Sequence, residues 1–248
     1  MLKIRNLMVF YENALAINEF SMDVDQGEIV GVIGSNSAGK TTLMNTISGL
    51  IIDMKIKEQR KGGERITLVG TVSFKGEDVT PMPPHERVKK GIVLCRERHP
   101  IFRESDVHEN LKIAGYLCSR KERDRNIDSV FELFPILGPL RRRKAGFMSG
   151  GEQQMLAIGM ALVVRPSLLL LDEPLLGLSP AMQNSLVESI KKVNEASGAT
   201  ILITEQFARP ILPMIDRGYV IENGMLTLKG TGKELMDNPE VKSAYFGV

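Results

Sequence analysis

No stretch of this 248-residue chain reaches the roughly 18 consecutive apolar residues that a bilayer-spanning helix needs. A membrane role therefore has to come through a partner. The first residues, Met1-Leu2-Lys3-Ile4-Arg5-Asn6, alternate polar and apolar like a strand and lack a signal-peptide core. There are only two cysteines, Cys95 and Cys118, without metal-ligand spacing. They make neither a disulfide scaffold nor a zinc site, and they fit a reducing compartment. Charge of one sign is missing too: 32 Lys and Arg stand against 30 Asp and Glu, a formal net charge of +2. That leaves no footprint for nucleic acid. The basic run Arg141-Arg142-Arg143-Lys144 reads as a solvated segment. Internal repeats are absent.

What is there is an ordinary globular composition, 43% hydrophobic and 25% charged, at a length suited to one large domain or two small lobes sharing a core. Residues 28–33, 168–171 and 200–204 are short, continuous apolar runs. That is the pattern of a parallel sheet covered on both faces. Helical periodicity follows each run, over residues 40–48, 181–196 and 207–215, so the core reads as α/β. The margins differ. Residues 1–26 and 66–75 alternate like edge strands, and 221–229 reads as a hairpin around Asn223-Gly224. Residues 104–160 are mostly helical in pattern, interrupted by Pro135, Gly138 and Pro139, and read as a lobe inserted into the core. Residues 55–64 read as an exposed polar loop.

Gly34-Ser35-Asn36-Ser37-Ala38-Gly39-Lys40-Thr41 fits G-x-x-x-x-G-K-[ST] at every fixed position, after a buried strand and at the start of a helix. Glycine lets the backbone wrap until successive N–H groups point at one anion. The helix opening near Lys40 turns its positive end to the same place. The Lys40 ammonium is suited to the β- and γ-phosphates, and the Thr41 hydroxyl to Mg²⁺. Asp172-Glu173 follows the second apolar run, at the sheet edge where ligands bind in open α/β folds. Asp172 suits a metal, held directly or through water. Glu173 suits a water that attacks a γ-phosphate. A bland alternative for Asp172 is to cap the helix that follows.

Met148-Ser149-Gly150-Gly151-Glu152-Gln153-Gln154 leads into an apolar helix. On local physics it is either an anion site at a helix start or a plain capping box, with Ser149 as cap and Glu152 three residues on. In its order of features the chain resembles the ABC-transporter ATPases, whose signature is Leu-Ser-Gly-Gly-Gln/Glu shortly before the acidic strand. Met148 departs from that signature, and Ser149 to Glu152 match it. The resemblance runs from the first strand to about residue 235. It implies a P-loop core with a mostly parallel sheet, an antiparallel β edge and an inserted helical subdomain over about residues 98–160. The nucleotide-binding core would take about 1–97 and 161–248.

The resemblance also implies ATP and Mg²⁺ as cofactors, and two subunits packed head to tail. Ser149, Gly150 and Gly151 of one subunit, with Glu152 beside them, would then close over the γ-phosphate held by Gly34 to Thr42 of the other. Tyr11 sits where the family stacks an aromatic ring on adenine, its alternative being a half-buried strand tyrosine. Catalysis would fall to Glu173, Lys40 and Gln206, and metal binding to Thr41, Asp172 and Glu97. The partners implied are integral-membrane permease subunits and a second, equal or similar, ATPase. The implied location is cytoplasmic, on the inner face of the membrane. Nucleic acid is excluded as a partner.

Three details resemble the ATPases of branched-chain amino-acid importers: Thr204-Glu205-Gln206, Gly177-Leu178-Ser179-Pro180, and Met82-Pro83-Pro84-His85 before Gly91-Ile92. Similar subunits serve urea and related amide importers. Two competing classes share the motifs, namely a soluble ATP-switched clamp and a nucleotide-binding regulator. The chain departs from the family at Arg96-Glu97, where a Pro-Gln pair is usual, and at Gln206, where most relatives carry His. Glu97 would ligate Mg²⁺ yet repel a metal-free γ-phosphate. Gln206 would position that phosphate without taking up a proton.

Overall fold

The computed structural model describes residues 1–246 apart from 61, 64, 65 and 98–100. β1 (Leu2–Tyr11) and β2 (Ala14–Val24) form an antiparallel hairpin. Leu2 and Ile4 are buried while Lys3 and Arg5 are exposed, the period-two signature of a half-buried sheet. A register shift between Ile4 and Leu7, with Asn6 at φ 48°, restores the inward phase so that Leu7 and Val9 are buried again. β3 (Ile29–Ile33) is buried at every residue. Ile29 and Ile33 face one apolar layer and Val30 and Val32 the other, which is why the run is continuously apolar.

α1 (Lys40–Ser48) ends at Gly49, whose φ of 84° stops the helix, and α2 (Leu50–Arg60) restarts at once. The loop expected over 55–64 is therefore corrected up to residue 60. Lys, Glu, Gln and Arg are good helix formers, and Ile51 anchors the helix in the core. Residues 62 and 63 are a turn and an irregular residue as expected, and 61 and 64 lie outside those described.

β4 (Ile66–Phe74) pairs with β1, and the short β5 (Glu77–Asp78) with β4, giving the sheet order β2-β1-β4-β5. α3 (Pro84–Lys90) leads into β6 (Ile92–Cys95). α4 (Val107–Ala114), α5 (Arg120–Leu133) and α6 (Gly150–Leu162) follow before β7 (Leu168–Asp172). α6 is apolar almost all round because the sheet, α4 and α5 cover it on several sides.

α7 (Pro180–Ser197), β8 (Thr200–Glu205), β9 (Arg217–Glu222) and β10 (Met225–Thr231) complete the second sheet, in the order β10-β9-β3-β8-β7-β6. All neighbours in it are parallel except β10 against β9. The turn between those two has Asn223 and Gly224 both at positive φ, as a two-residue hairpin requires. α8 (Gly232–Asp237) and α9 (Pro239–Tyr245) close the chain.

The helix expected over 207–215 is corrected to a series of turns. Its apolar residues Ala208, Ile211, Leu212 and Ile215 are buried as a helix would bury them. Pro210 and Pro213 carry no backbone N–H and break the ladder.

Candidate functional site: a phosphate loop facing two carboxylates

β3 delivers the chain to Gly34, whose N–H donates to the Glu205 carbonyl at 3.2 Å, so the loop starts pinned to the end of β8. Ser37 and Gly39 sit at φ 65° and 106°. Gly39 has no alternative: a Cβ there would lie 2.7 Å from the Ala16 carbonyl oxygen of β2. The Ala38 carbonyl accepts the Gly224 N–H at 3.0 Å, so the β9–β10 turn braces the loop from behind. α1 then opens at Lys40 with no side-chain cap, leaving its first N–H groups available to an anion.

Lys40 is only 3% exposed. Its Nζ donates to the carbonyls of Gly34 (2.7 Å) and Ser35 (2.8 Å) and lies 3.0 Å from Glu173 Oε1. Glu173 follows β7 at φ 46°, an uncommon conformation for a non-glycine residue, costing on the order of 1–3 kcal/mol. Its N–H donates to Thr204, to the carbonyl at 3.1 Å and to Oγ1 at 3.2 Å. Thr204 Oγ1 donates to Asp172 Oδ1 at 2.8 Å, and Thr41 is a second hydrogen-bond partner of that carboxyl. Burial pushes the Asp172 carboxyl above its ordinary range. The Thr204 and Thr41 hydrogen bonds oppose that, and the neighbouring charges of Glu173 and Glu97 add to it.

Lys40, Thr41, Asp172 and Glu173 thus meet at the carboxyl ends of β3 and β7, with Glu97, just past β6, near enough for its charge to act on Asp172. Thr41, Asp172 and Glu97 offer hard oxygen donors, which fit Mg²⁺ sharing its shell with phosphate and water. Among the described residues, no group of three or more His, Cys, Asp or Glu has the spacing to hold a metal by itself.

Tyr11 ends β1 opposite Ala14, with its ring partly buried against the core. Gln206 follows β8 and is half-buried. Ser149 caps α6: its hydroxyl accepts the Glu152 N–H at 3.4 Å, and Glu152 Oε2 accepts the Ser149 N–H at 2.7 Å. Among the described residues, no hydrogen bond joins this turn to residues 34–42 within one chain. Ser149 and Gly150 are exposed, and Gly151 packs under Met182. The capping box and an anion-facing turn are compatible, because the hydroxyl proton is left over.

Sequence reasoning assigned no role to Glu205, the buried last residue of β8. Its signal was a carboxylate ending an apolar run. The Arg87 guanidinium, 1% exposed, was missed altogether. A groove of about 740 Å³ lies elsewhere, beside Met1, Asn126, Arg165 and Ser167, and shares no residue with the loop.

A phosphate loop between a parallel strand and a helix, with an acidic pair ending the neighbouring strand, defines a P-loop nucleotide-hydrolysing protein. The family model described as ABC transporter matches residues 17–176. The high-affinity branched-chain amino acid transport ATP-binding protein BraG of Pseudomonas aeruginosa is 37% identical over 247 residues, covering both chains completely. A probable branched-chain amino acid transport ATP-binding protein, LivF, of Archaeoglobus fulgidus is 33% identical over 100% of this chain and 99% of its own. The lipopolysaccharide export system ATP-binding protein LptB of Haemophilus influenzae is 30% identical over 98% and 95%. Among solved structures, the ADP conformation of an ATP-binding cassette of an ABC transporter superposes with a TM-score of 0.83 at 27% identity, over 100% of this chain and 99% of its own. The chain belongs to the ABC transporter family, as an ATP-binding, ATP-hydrolysing subunit.

Proposed function

We propose that this subunit powers an importer of branched-chain amino acids or closely related small polar solutes. It would work on the cytoplasmic face with integral-membrane permease subunits, paired head to tail with a second, similar ATPase. The observation that carries this reading is likeness along the entire length to two branched-chain amino acid transport ATP-binding proteins, at higher identity than to the lipopolysaccharide export relative. No helix among the described residues is long and apolar enough to cross a membrane, which agrees with a membrane role exercised through partners.

In this reading ATP lies between Tyr11 and residues 34–42. The γ-phosphate draws Lys40 away from Glu173, which releases that carboxylate to orient the attacking water. Thr41, Asp172 and Glu97 would hold Mg²⁺, which would neutralise phosphate charge when bound. Gln206 donates to the γ-phosphate, and the partner's Ser149-Gly150-Gly151 turn closes over it. The work is positioning and electrostatics. Expressed in its own host, the tagged full chain should bring down a polytopic membrane protein. Hydrolysis by that complex should rise with a leucine-, isoleucine- or valine-loaded binding protein. A complex that answers to lipopolysaccharide instead, or a chain that brings down no membrane protein, contradicts the reading.

Glu97 gives a second expectation. Its carboxylate ligates Mg²⁺ better than an amide and repels a bare γ-phosphate. Glu97→Gln should raise the Mg²⁺ midpoint of ATPase activity a few-fold and tighten binding of metal-free ATP. A midpoint unchanged across the titration rules out the metal role.

A further inference from the structure

Glu205 has no part in the mechanism above, yet it is 4% exposed and ends β8 among the site's own backbone. Its carboxyl Oε1 accepts the Leu175 N–H at 2.9 Å, two residues beyond Glu173, and Gln206 follows it directly in the chain. Its main-chain carbonyl holds Gly34, the first residue of the phosphate loop, at 3.2 Å. One residue therefore touches two segments, the loop and the stretch 173–178. Otherwise the stretch after Glu173 bonds mainly within itself, the Leu176 N–H to the Glu173 carbonyl and the Leu178 N–H to the Leu175 carbonyl, each at 3.2 Å. Leu176 and Gly177 are exposed, and Gln183 Nε2 reaches the Leu175 and Leu178 carbonyls only at 3.4 and 3.3 Å.

We propose that Glu205 is a positioning residue for hydrolysis, its buried carboxyl fixing the Leu175 amide and its main-chain carbonyl the Gly34 amide, so that Glu173 and the adjoining Gln206 stand in register with the phosphate loop. This rests on the reading of Glu173 as the residue that orients water. A 1 Å slip of such a group costs on the order of 10²-fold in rate. The electrostatics agree. Burial pushes the Glu205 carboxyl up to about 8, with the Glu173 charge adding to the rise against the Leu175 hydrogen bond and Lys40. At neutral pH it is largely the uncharged acid. Glutamine matches that neutral acid in shape and keeps a carbonyl acceptor for Leu175; leucine fills the volume and accepts nothing.

The test uses the full chain with Glu205→Gln, Glu205→Leu and Glu173→Gln side by side, each checked for a cooperative thermal transition. kcat and KM are measured for Mg-ATP, with the Kd for a non-hydrolysed ATP analogue. Glu205→Leu should lose about 10²-fold in kcat, with KM and Kd within about threefold of the parent. Glu205→Gln should keep most of the activity. Parental kcat in Glu205→Leu overturns the proposal, as does equal loss in Glu205→Gln. A loss in KM and Kd with kcat retained also overturns it, since that would make Glu205 a binding-site support only. If Glu205→Leu does not fold, Glu205→Gln decides: retained kcat supports the neutral-acid role and a large kcat loss removes it. Parental turnover in Glu173→Gln would instead sink the reading beneath it, which keeps the two failures apart.

Discussion

Glu173→Gln should lose on the order of 10²–10⁴-fold in ATP turnover, the range removed with a positioned acid or base, while still binding Mg-ATP. The side chain is held at the end of β7 by an N–H shared between two Thr204 oxygens and by an Oε1 3.0 Å from Lys40. Glutamine keeps the shape and the hydrogen-bonding reach but loses the charge that polarises water. It also loses the attraction to Lys40, so Lys40 turns to the phosphates at lower cost. Nucleotide affinity should therefore hold or improve, and a closed ATP-bound pair should accumulate because hydrolysis no longer opens it. Phosphate release and sedimentation in Mg-ATP measure the two halves. Turnover within a few-fold of the parent would mean that the water is oriented by another group.

The second large effect is on stability. Arg87 of α3 lies buried against the end of α1. Its Nη1 donates to the Thr46 (2.6 Å) and Ile47 (2.9 Å) carbonyls, its Nε to Met82 (2.9 Å) and its Nη2 to Thr80 (2.9 Å). Thr46 and Ile47 are in the last turn of α1, where carbonyls have no intrahelical partner and a cation is favoured. Burial pulls the guanidinium down to about 10, with Asp78 opposing, which still leaves it charged at neutral pH. Gly49 makes room for it: a Cβ there would lie 2.8 Å from Arg87 Nε.

Arg87→Met preserves most of the stem and removes all the donors, orphaning up to three carbonyls (the Thr46 carbonyl keeps the Gly49 N–H) at about 1–3 kcal/mol for each one that water cannot reach. Water will reach some of them, so the expected loss is about 3–5 kcal/mol, a large share of the ~5–15 kcal/mol that holds a domain together. Denaturant unfolding measures it, and Arg87→Lys should fall in between. A loss under about 1 kcal/mol would mean the carbonyls find other donors, and that this residue does not anchor the helix that carries the phosphate loop.

How much of this could be read in advance depended on whether the information was local. Residues 34–41 were legible as a strand-to-helix loop because the glycine spacing answers to local backbone demands, such as the positive φ and close approach at Gly39. The Asn223-Gly224 turn was legible because two successive positive φ angles demand those residues. The apolar phase of residues 207–215 was legible too, but it describes which side chains are buried and not which hydrogen bonds form, and two prolines decided the latter. Residues 55–60 were misread because a polar surface was taken for an irregular one. Arg87 and Glu205 were illegible for a different reason. Arg87 reaches Thr46, 41 positions away, and Glu205 reaches Leu175, 30 positions away, and only the tertiary fold makes a charged residue of α3 or β8 into a buried clasp.

The most direct measurement is equilibrium binding of Mg-ATP to the parent and to Lys40→Ala. Lys40 is the cation the loop encloses, bonded to two loop carbonyls and to Glu173. If a triphosphate replaces those partners, Lys40→Ala should bind at least about tenfold more weakly, a difference of about 1.4 kcal/mol, with its thermal stability otherwise near the parent's. Binding as tight as the parent's would place the nucleotide somewhere other than residues 34–42.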